Sequence, residues 1–210
     1  MIDIQPYLDR SASEHTHLCP RQILGVRIGL LAVKLLSLPI GENPKKRLLT
    51  IVESDGCFAD GITATTGCTL GHRTMRLEDY GKIAAVFVDT KTDRMIRIAP
   101  RLDVRQRAYA YAPEEKRHYF AQMKAYQIMP DDELLMVQDV RIKTPVGELI
   151  SRPSIRTACD ICGEEIINER EIVTADQTLC VSCAGGGYYE RLSPLEAHPH
   201  VEDAEYECLC

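Results

Sequence analysis

Apolar residues between positions 20 and 38 recur at steps of three and four, which is the spacing of one face of an α-helix. The repeating positions are Ile23, Val26, Leu30, Val33 and Leu35 or Leu36. Pro20 suits the first position of such a helix, which makes Cys19 its N-terminal cap. Pro39 and Gly41 are typical of the residues that end a helix. The pattern therefore predicts a long helix over residues 20–38.

Shorter apolar runs predict the strands of a sheet. They cover residues 48–53, 84–89 and 94–99, and the segment VQDVRI within residues 134–143. The polar turn TKTD joins the second and third runs, so we expect those two to form a hairpin. Short helices are predicted at residues 58–66, ending at Gly67, and at residues 113–127. A hairpin combined with helical crossovers favours an α+β domain with a mixed sheet.

Four cysteines near the C-terminus form the clearest chemical motif. Cys159 and Cys162 are separated by two residues, as are Cys180 and Cys183, and seventeen residues lie between the two pairs. This spacing is typical of a zinc site in which four thiolates surround one ion. Because protein ligands fill all four positions, we expect a structural zinc. Two disulfides, a redox motif used twice, and iron in the same four-sulfur cage are the alternatives.

Composition along the chain predicts two domains and a tail. We expect a first domain over residues 1–150, a linker SRPS at residues 151–154, a zinc-finger domain over residues 155–192, and an acidic, mobile tail over residues 193–210. Within the finger, residues 171–174 and 178–179 are expected to pair, and a short helix to begin near residue 185. A module of about 40 residues has too small a core to fold alone, so zinc would supply the missing stability.

Length and charge limit the class of protein. The chain has 210 residues, a hydrophobic fraction of 45%, a charged fraction of 27% and a net charge of −6, values typical of a globular protein of one or two domains. The negative charge and the lack of Trp disfavour nucleic-acid binding. We find no signal peptide and no apolar segment long enough to cross a membrane, and expect a cytoplasmic protein. Nine cysteines there indicate metal binding or thiol chemistry.

A looser group of histidines and cysteines lies in the first domain. His15, His17 and Cys19 fall within five residues, and Cys57 and Cys68 bracket the helix predicted at residues 58–66. A thiol at a helix N-terminus has a lowered pKa because the helix dipole and unpaired N–H groups stabilise the thiolate. Cys19 and Cys57 occupy such positions, so we expect both to form thiolates and bind a metal ion.

These residues predict a second transition-metal site with an open coordination position. Asp55 and Asp60 are candidates for orienting a histidine ligand. The alternative is that Cys57 and Cys68 are ordinary buried cysteines and that the histidines lie on the surface. The remaining candidates are weaker, since His72 is most simply a loop residue and Cys208 and Cys210 are tail thiols.

Basic residues are frequent between positions 94 and 124, where three tyrosines interleave with them. The basic residues are Arg94, Arg97, Arg101, Arg105, Arg107, Lys116, Arg117 and Lys124. This pattern indicates either a surface for an acidic cofactor, a nucleic acid or a partner protein, or a solvated helix face whose tyrosines pack on the core.

Three stretches of the first domain resemble the FmdE family, which takes its name from the E subunit of formylmethanofuran dehydrogenase. They are HTHLCPRQILGVRIG (residues 15–29), VESDGCFADGITATTGCTLG (residues 52–71) and EDYGKIAAVF (residues 78–87). The chain departs from the usual motifs at Arg21, where the family has Gly, and at His72, where it often has Lys. The resemblance implies an α+β core with a mixed, five-stranded sheet flanked by helices, often dimeric, and in some members an added treble-clef zinc finger.

The resemblance also implies a core metal site built from His17, Cys19, Cys57 and Cys68, with His15 nearby. It places the protein beside a molybdenum or tungsten oxidoreductase of one-carbon metabolism related to methanogenesis, although the family's redox chemistry is attributed to other subunits. We therefore expect a cytoplasmic, homodimeric metal-binding accessory protein, with oxidoreductase subunits as partners. The alternatives are a stand-alone metal-dependent enzyme, in which Cys57, Asp55 and His17 are candidate catalytic residues, and a nucleic-acid-binding regulator.

Overall fold

A computed structural model describes residues 2–13, 15, 17–150, 154–190 and 192. The chain forms two units, Met1–Lys143 and Thr144–Cys210. The helices of the first unit are α1 Gln5–Ala12, α2 Pro20–Leu35, α3 Cys57–Thr66, α4 Val104–Tyr111, α5 His118–Ile128 and α6 Asp131–Leu134. Its strands are β1 Leu48–Val52, β2 Met75–Leu77, β3 Ala85–Asp89, β4 Arg94–Pro100 and β5 Leu135–Asp139.

The five strands form one mixed sheet with the order β2-β1-β3-β4-β5. Strands β1 and β2 are parallel, and every other neighbouring pair is antiparallel. Strands β3 and β4 form the predicted hairpin through a turn in which Asp93 has a φ of 58°. The prediction of an α+β fold with a mixed, five-stranded sheet flanked by helices is confirmed.

Helix α2 lies at the centre of the first unit. Rows of facing side chains on the sheet, such as Thr50, Phe87 and Ile96, are buried in the layer that also contains α2 and α3. Residues 22–30 of the helix are all buried, and even the Arg27 side chain, although charged, is almost enclosed. That side chain donates to the carbonyl oxygens of Tyr126 and Met129, both at 2.7 Å. The apolar repeat of α2 therefore belongs to a core helix.

Two glycines hold α2 and α3 in close contact. A Cβ atom at Gly25 would lie 2.3 Å from the carbonyl oxygen of Phe58, and one at Gly61 would lie 2.4 Å from the carbonyl oxygen of Gln22. The two backbones pack directly against each other near the N-terminal ends of the helices, so neither position has room for a side chain. This contact sets the positions of Cys19, immediately before α2, and Cys57, the first residue of α3.

Several element boundaries differ from the sequence predictions. Helix α2 ends at Leu35 because Ser37 turns the chain with a φ of 54°. The helix expected at residues 113–127 begins only at His118, and residues 104–111 form α4, which the apolar pattern did not predict. Pro113 follows α4 and lacks an N–H group, so it cannot continue that helix. Helix α1 and strand β2 were not predicted either.

The second unit contains two small hairpins after one helix. Helix α7 is Val146–Ile150, and the strands are β6 Arg156–Ala158, β7 Glu165–Ile167, β8 Ile172–Val173 and β9 Thr178–Leu179. A helical turn at Ser182–Gly186 precedes the segment where a helix was expected. Helix α7 groups with this unit because Arg170 donates to the carbonyl oxygens of Glu148 and Leu149, at 3.1 and 3.2 Å. The unit therefore starts before the expected linker, and the acidic tail lies outside the described residues.

No helix in the described parts of the chain is long and apolar enough to cross a membrane.

Candidate functional site

Cys19 lies at the entrance to α2, where hydrogen bonds fix the backbone. Its N–H group donates to the side-chain oxygen of Gln22 at 2.8 Å, and the amide nitrogen of the same Gln22 donates to the carbonyl of Ser11 at 2.9 Å. The hydroxyl of Tyr119 on α5 donates to the carbonyl of Leu18 at 3.1 Å. These bonds attach the residues before α2 to both α1 and α5, so the half-buried Cys19 side chain has a fixed place.

Cys57 reaches the same place from the other helix. It follows Gly56, whose φ of 73° and ψ of −155° suit glycine alone, and this turn aims the first residue of α3. The Cys19 and Cys57 side chains line the same cavity and lie near enough for each thiol to affect the ionisation of the other. Burial raises the pKa of the Cys57 thiol, and the neighbouring Cys19 thiol adds to the rise. The surroundings of Cys57 within the protein therefore favour the protonated thiol, whereas a readily ionised thiol was expected.

An aspartate of α3 contacts the His15 side chain. The Nε2 atom of His15 lies 2.8 Å from Oδ2 of Asp60, which is one turn after Cys57 on α3. Asp60 thus orients a histidine, in the role predicted from the sequence. His17 is exposed in the segment between His15 and Cys19, and Asp55 is exposed in the loop before α3.

Cys68 is not brought to the thiol pair. It lies beyond the other end of α3, which separates it from Cys57 by on the order of 13 Å of helix. Its side chain is fully buried and contacts Nδ2 of Asn43 at 3.3 Å and the carbonyl oxygen of Leu48 at 3.4 Å. Burial raises the pKa of this thiol. The geometry therefore matches the alternative for Cys68, an ordinary buried cysteine.

A cavity of about 860 Å³ opens beside Cys19 and Cys57, and both residues line it. Its volume is in the range of about 300–1,000 Å³ typical of small-molecule sites. The lining also includes five basic side chains, namely Arg21, Lys82, Arg97, Arg101 and Arg105. Arg97, Arg101 and Arg105 come from the predicted basic segment. Arg21 and Lys82 were not predicted, since only the fold brings them near.

The four C-terminal cysteines converge as predicted. Their sulfur atoms all lie within 4.8 Å of one another, and those of Cys162 and Cys180 are 3.9 Å apart. Although burial opposes it, N–H donors from Cys162, Cys180 and Ile161 lower the pKa of Cys159 to about 6. Burial raises the pKa of Cys162 to about 12, and its sulfur neighbours add to the rise. A cation between the sulfurs would balance their charge, so the donor set fits a metal ion.

Among the described residues, these four cysteines form the group of three or more potential metal ligands (His, Cys, Asp or Glu) whose ligand atoms all lie within 4.8 Å of one another. Cys19 and Cys57 form no such group with His15 or His17, both of which lie in the described part of the chain. A third ligand would have to move toward the pair to complete a metal site there.

Comparison with known proteins identifies the family. The sequence profile of the family described as "FmdE, Molybdenum formylmethanofuran dehydrogenase operon" matches residues 14–136, which is more than half of the chain. The chain belongs to the FmdE family. The matched range contains Cys19, Cys57 and all the other residues that line the cavity, whereas the four-cysteine cluster lies outside it. The region that defines the FmdE family is thus the one that holds the thiol pair.

Two known proteins are similar to this chain. It is similar in fold to the crystal structure of an FmdE-like protein of the tungsten formylmethanofuran dehydrogenase type from Syntrophus aciditrophicus, with a TM-score of 0.56 and 19% identity over 89% of this chain and 95% of that one. A probable S-adenosyl-L-methionine-binding protein from Archaeoglobus fulgidus is 35% identical over 95 residues, 42% of this chain. The match spans about a quarter (25%) of that relative's length.

Proposed function

We propose that the chain is a metal-binding accessory protein with two sites of different character. The four-cysteine cluster holds a structural zinc ion. A second transition-metal ion, zinc in the purified protein, binds at Cys19 and Cys57, with His17 and His15 as the nearby imidazole ligands. The observation that carries the proposal is that two cysteines, from segments far apart in sequence, line the same large cavity.

The chemistry of the residues supports a metal ion at this pair. Thiolate and imidazole are the ligands that zinc, iron, nickel and copper prefer. A cation would replace the proton that burial keeps on Cys57, since a coordinating thiol is deprotonated. Asp60 already holds His15 by one ring nitrogen, an arrangement common around metal-bound histidines. Cys68, buried elsewhere, has no part in the proposed site.

The family and the composition of the site support the accessory role. The family is described by the operon of a molybdenum formylmethanofuran dehydrogenase, which supports a cytoplasmic role beside a molybdenum or tungsten oxidoreductase of one-carbon metabolism. The core site would bind, sense or deliver a metal or cofactor, and the zinc module, a treble clef, would dock an oxidoreductase subunit. We further propose a homodimer, the form implied by the family resemblance.

Metal analysis of purified variants tests the core site. We expect two ions per wild-type chain, one in Cys57→Ala, and one in Cys162→Ser because that change removes only the structural ion. Cys68→Ala is the matched control, since it deletes a thiol outside the proposed site and should keep two ions. If Cys57→Ala binds as much metal as wild type, the core-site proposal is wrong.

A metal-dependent enzyme is the second candidate function, and the cavity favours it. A space of about 860 Å³ beside the thiol pair has room for a substrate next to the ion. Such an ion would polarise a carbonyl group or activate a bound water. X-ray absorption spectroscopy separates the two functions. An ion with three protein ligands and a water supports an enzyme, and a closed set of four protein ligands supports the accessory role.

A further inference from the structure

The wall of the cavity has a charge opposite to that of the whole protein. Five basic side chains line it, and no Asp or Glu is among the described residues that do so. The chain as a whole has a net charge of −6. Cationic walls around a low-dielectric cleft concentrate the field and attract anions.

Most of this positive charge is not neutralised inside the protein. Arg97 is paired, since its guanidinium donates to both carboxylate oxygens of Glu53 at 2.6 and 2.7 Å. Arg101 donates through Nε to the carbonyl oxygen of Asp132 at 2.7 Å, which fixes the guanidinium and leaves its charge uncompensated. Within the described part of the chain, no carboxylate lies within 4.0 Å of Arg21, Lys82, Arg101 or Arg105.

Most of the remaining lining residues are apolar. Leu24, Val104 and Tyr126 are nearly fully buried and contribute side chains from three different helices. A ligand that fills this space therefore meets both guanidinium groups and hydrocarbon. Such a lining favours a molecule with a charged end and an apolar body over a free inorganic ion.

We propose that this cavity binds a small organic anion, whose carboxylate or phosphate group pairs with Arg101 and Arg105 and whose apolar body packs on Leu24, Val104 and Tyr126. The inference names the ligand of the site proposed above and in that sense rests on it, although anion binding itself requires no metal. Arginine suits this role because its planar fork donates two parallel hydrogen bonds to a carboxylate or a phosphate. The bound anion lies beside Cys19 and Cys57, within reach of an ion held there.

Isothermal titration calorimetry of the full-length protein at low ionic strength tests the proposal. The probes are phenyl phosphate, benzoate, the neutral analogue benzyl alcohol, and inorganic phosphate. We expect phenyl phosphate or benzoate to bind at least about tenfold more tightly than benzyl alcohol, because charge-assisted hydrogen bonds are lost in the neutral compound. Inorganic phosphate is expected to bind more weakly than phenyl phosphate. Whichever of phenyl phosphate and benzoate binds more tightly shows whether the site prefers a phosphate or a carboxylate group.

Matched variants locate the binding. Arg101→Gln with Arg105→Gln should weaken binding of the anions by about tenfold or more. Lys45→Gln with Lys91→Gln removes the same charge from exposed positions outside the cavity and should leave affinity within about twofold. The proposal is overturned if both double variants lose affinity equally, if the arginine variant binds as tightly as wild type, or if benzyl alcohol binds as well as the anions.

Cys57→Ala separates this inference from the metal proposal. If the variant and the wild type bind phenyl phosphate equally, the anion site stands whatever the metal analysis shows. If Cys57→Ala abolishes binding while the arginine variant retains it, the anion binds to the metal ion and the arginine site is refuted.

Discussion

At the scale of single residues, Asp89 shows how a buried charge is stabilised in this fold. Its carboxylate is 2% exposed at the end of β3. Arg47 donates to both oxygens, at 2.8 and 2.6 Å, and the Thr92 hydroxyl and the Lys91 N–H group also donate to them. The hydrogen bonds from Arg47 hold the pKa of Asp89 well below its usual range. The negative charge of Asp89 is therefore stabilised by Arg47 and by donors of the β3–β4 turn.

This depressed pKa predicts a pH dependence of stability. In the unfolded chain an aspartate has a pKa of about 3.9, so below about pH 4 the unfolded state gains a proton that folded Asp89 does not. The stability that Asp89 contributes is complete above that pH and is lost as the pH falls towards the folded value. Urea unfolding at pH 7, 4 and 3 should show Asp89→Asn to be less stable than wild type at pH 7, with a smaller loss on acidification.

Asp93→Asn is the control for this prediction, because Asp93 is an exposed residue of the same turn with a positive φ that asparagine tolerates. It should match wild type at each pH. An acid dependence of Asp89→Asn as steep as that of wild type would contradict the assignment of the effect to Asp89.

At the scale of elements, the site depends on the direct contact between α2 and α3. Neither Gly25 nor Gly61 has room for a side chain, since a Cβ atom added at either one would lie 2.3 or 2.4 Å from a backbone oxygen of the facing helix. The contact lies near the start of both helices, where Cys19 and Cys57 stand. The packing of two backbones thus decides whether the two thiols line one cavity.

Gly25→Ala should separate the helices and destabilise the first unit. Overpacking a core usually costs about 1–3 kcal/mol, and we expect about 3 kcal/mol because the clash is with backbone atoms. Urea unfolding measures this change. The same variant should lose metal from the core site and keep the zinc of the second unit. Gly71→Ala, where no atom lies within 4 Å of the added Cβ, should be nearly neutral. Equal stability of the two variants would refute the packing argument.

Local signals in the sequence predicted some elements and missed others. The apolar repeat of α2 and the turn between β3 and β4 are encoded in neighbouring residues, and both elements formed as expected. Strand β2 is only three residues long and exists because it pairs in parallel with β1, a contact that its own residues do not encode. Helix α4 is rich in polar residues, and its buried positions, Val104 and Ala108, are too few to form a recognisable repeat.

At the scale of the whole molecule, the two candidate sites differ in how far the sequence determines them. The four C-terminal cysteines occupy two tight turns, so their spacing alone predicts that the sulfurs converge. Cys19 and Cys57 come to line one cavity because α2 packs on α3. The spacing of the cysteines also suggested Cys68 as a ligand of the core site, but the ten residues of α3 separate it from Cys57. The basic lining of the cavity was predicted in part, because three of its five residues come from the basic segment at residues 94–124.

We expect the second unit to depend on a bound metal ion far more than the first unit does. Its buried apolar cluster consists of Cys159, Cys162, Ile166 and Leu179, so half of it is ligand sulfur. Without the ion, hydrocarbon burial is too small to hold the hairpins, and zinc binding in finger peptides contributes roughly 10–16 kcal/mol near neutral pH. The sheet of the first unit has its own continuous core and needs no such support.

Cys162→Ser should therefore unfold the second unit and leave the first unit folded. Hydrogen exchange measures this residue by residue: amides of β6 to β9 should lose protection, and those of β3 and β4 should keep it. Ile161→Ser, an exposed neighbour in the same turn, is the control and should preserve both patterns. A chelator added to wild type should reproduce the effect of Cys162→Ser. If chelation removes protection from both units together, the two do not fold independently, and the zinc ion stabilises the whole chain.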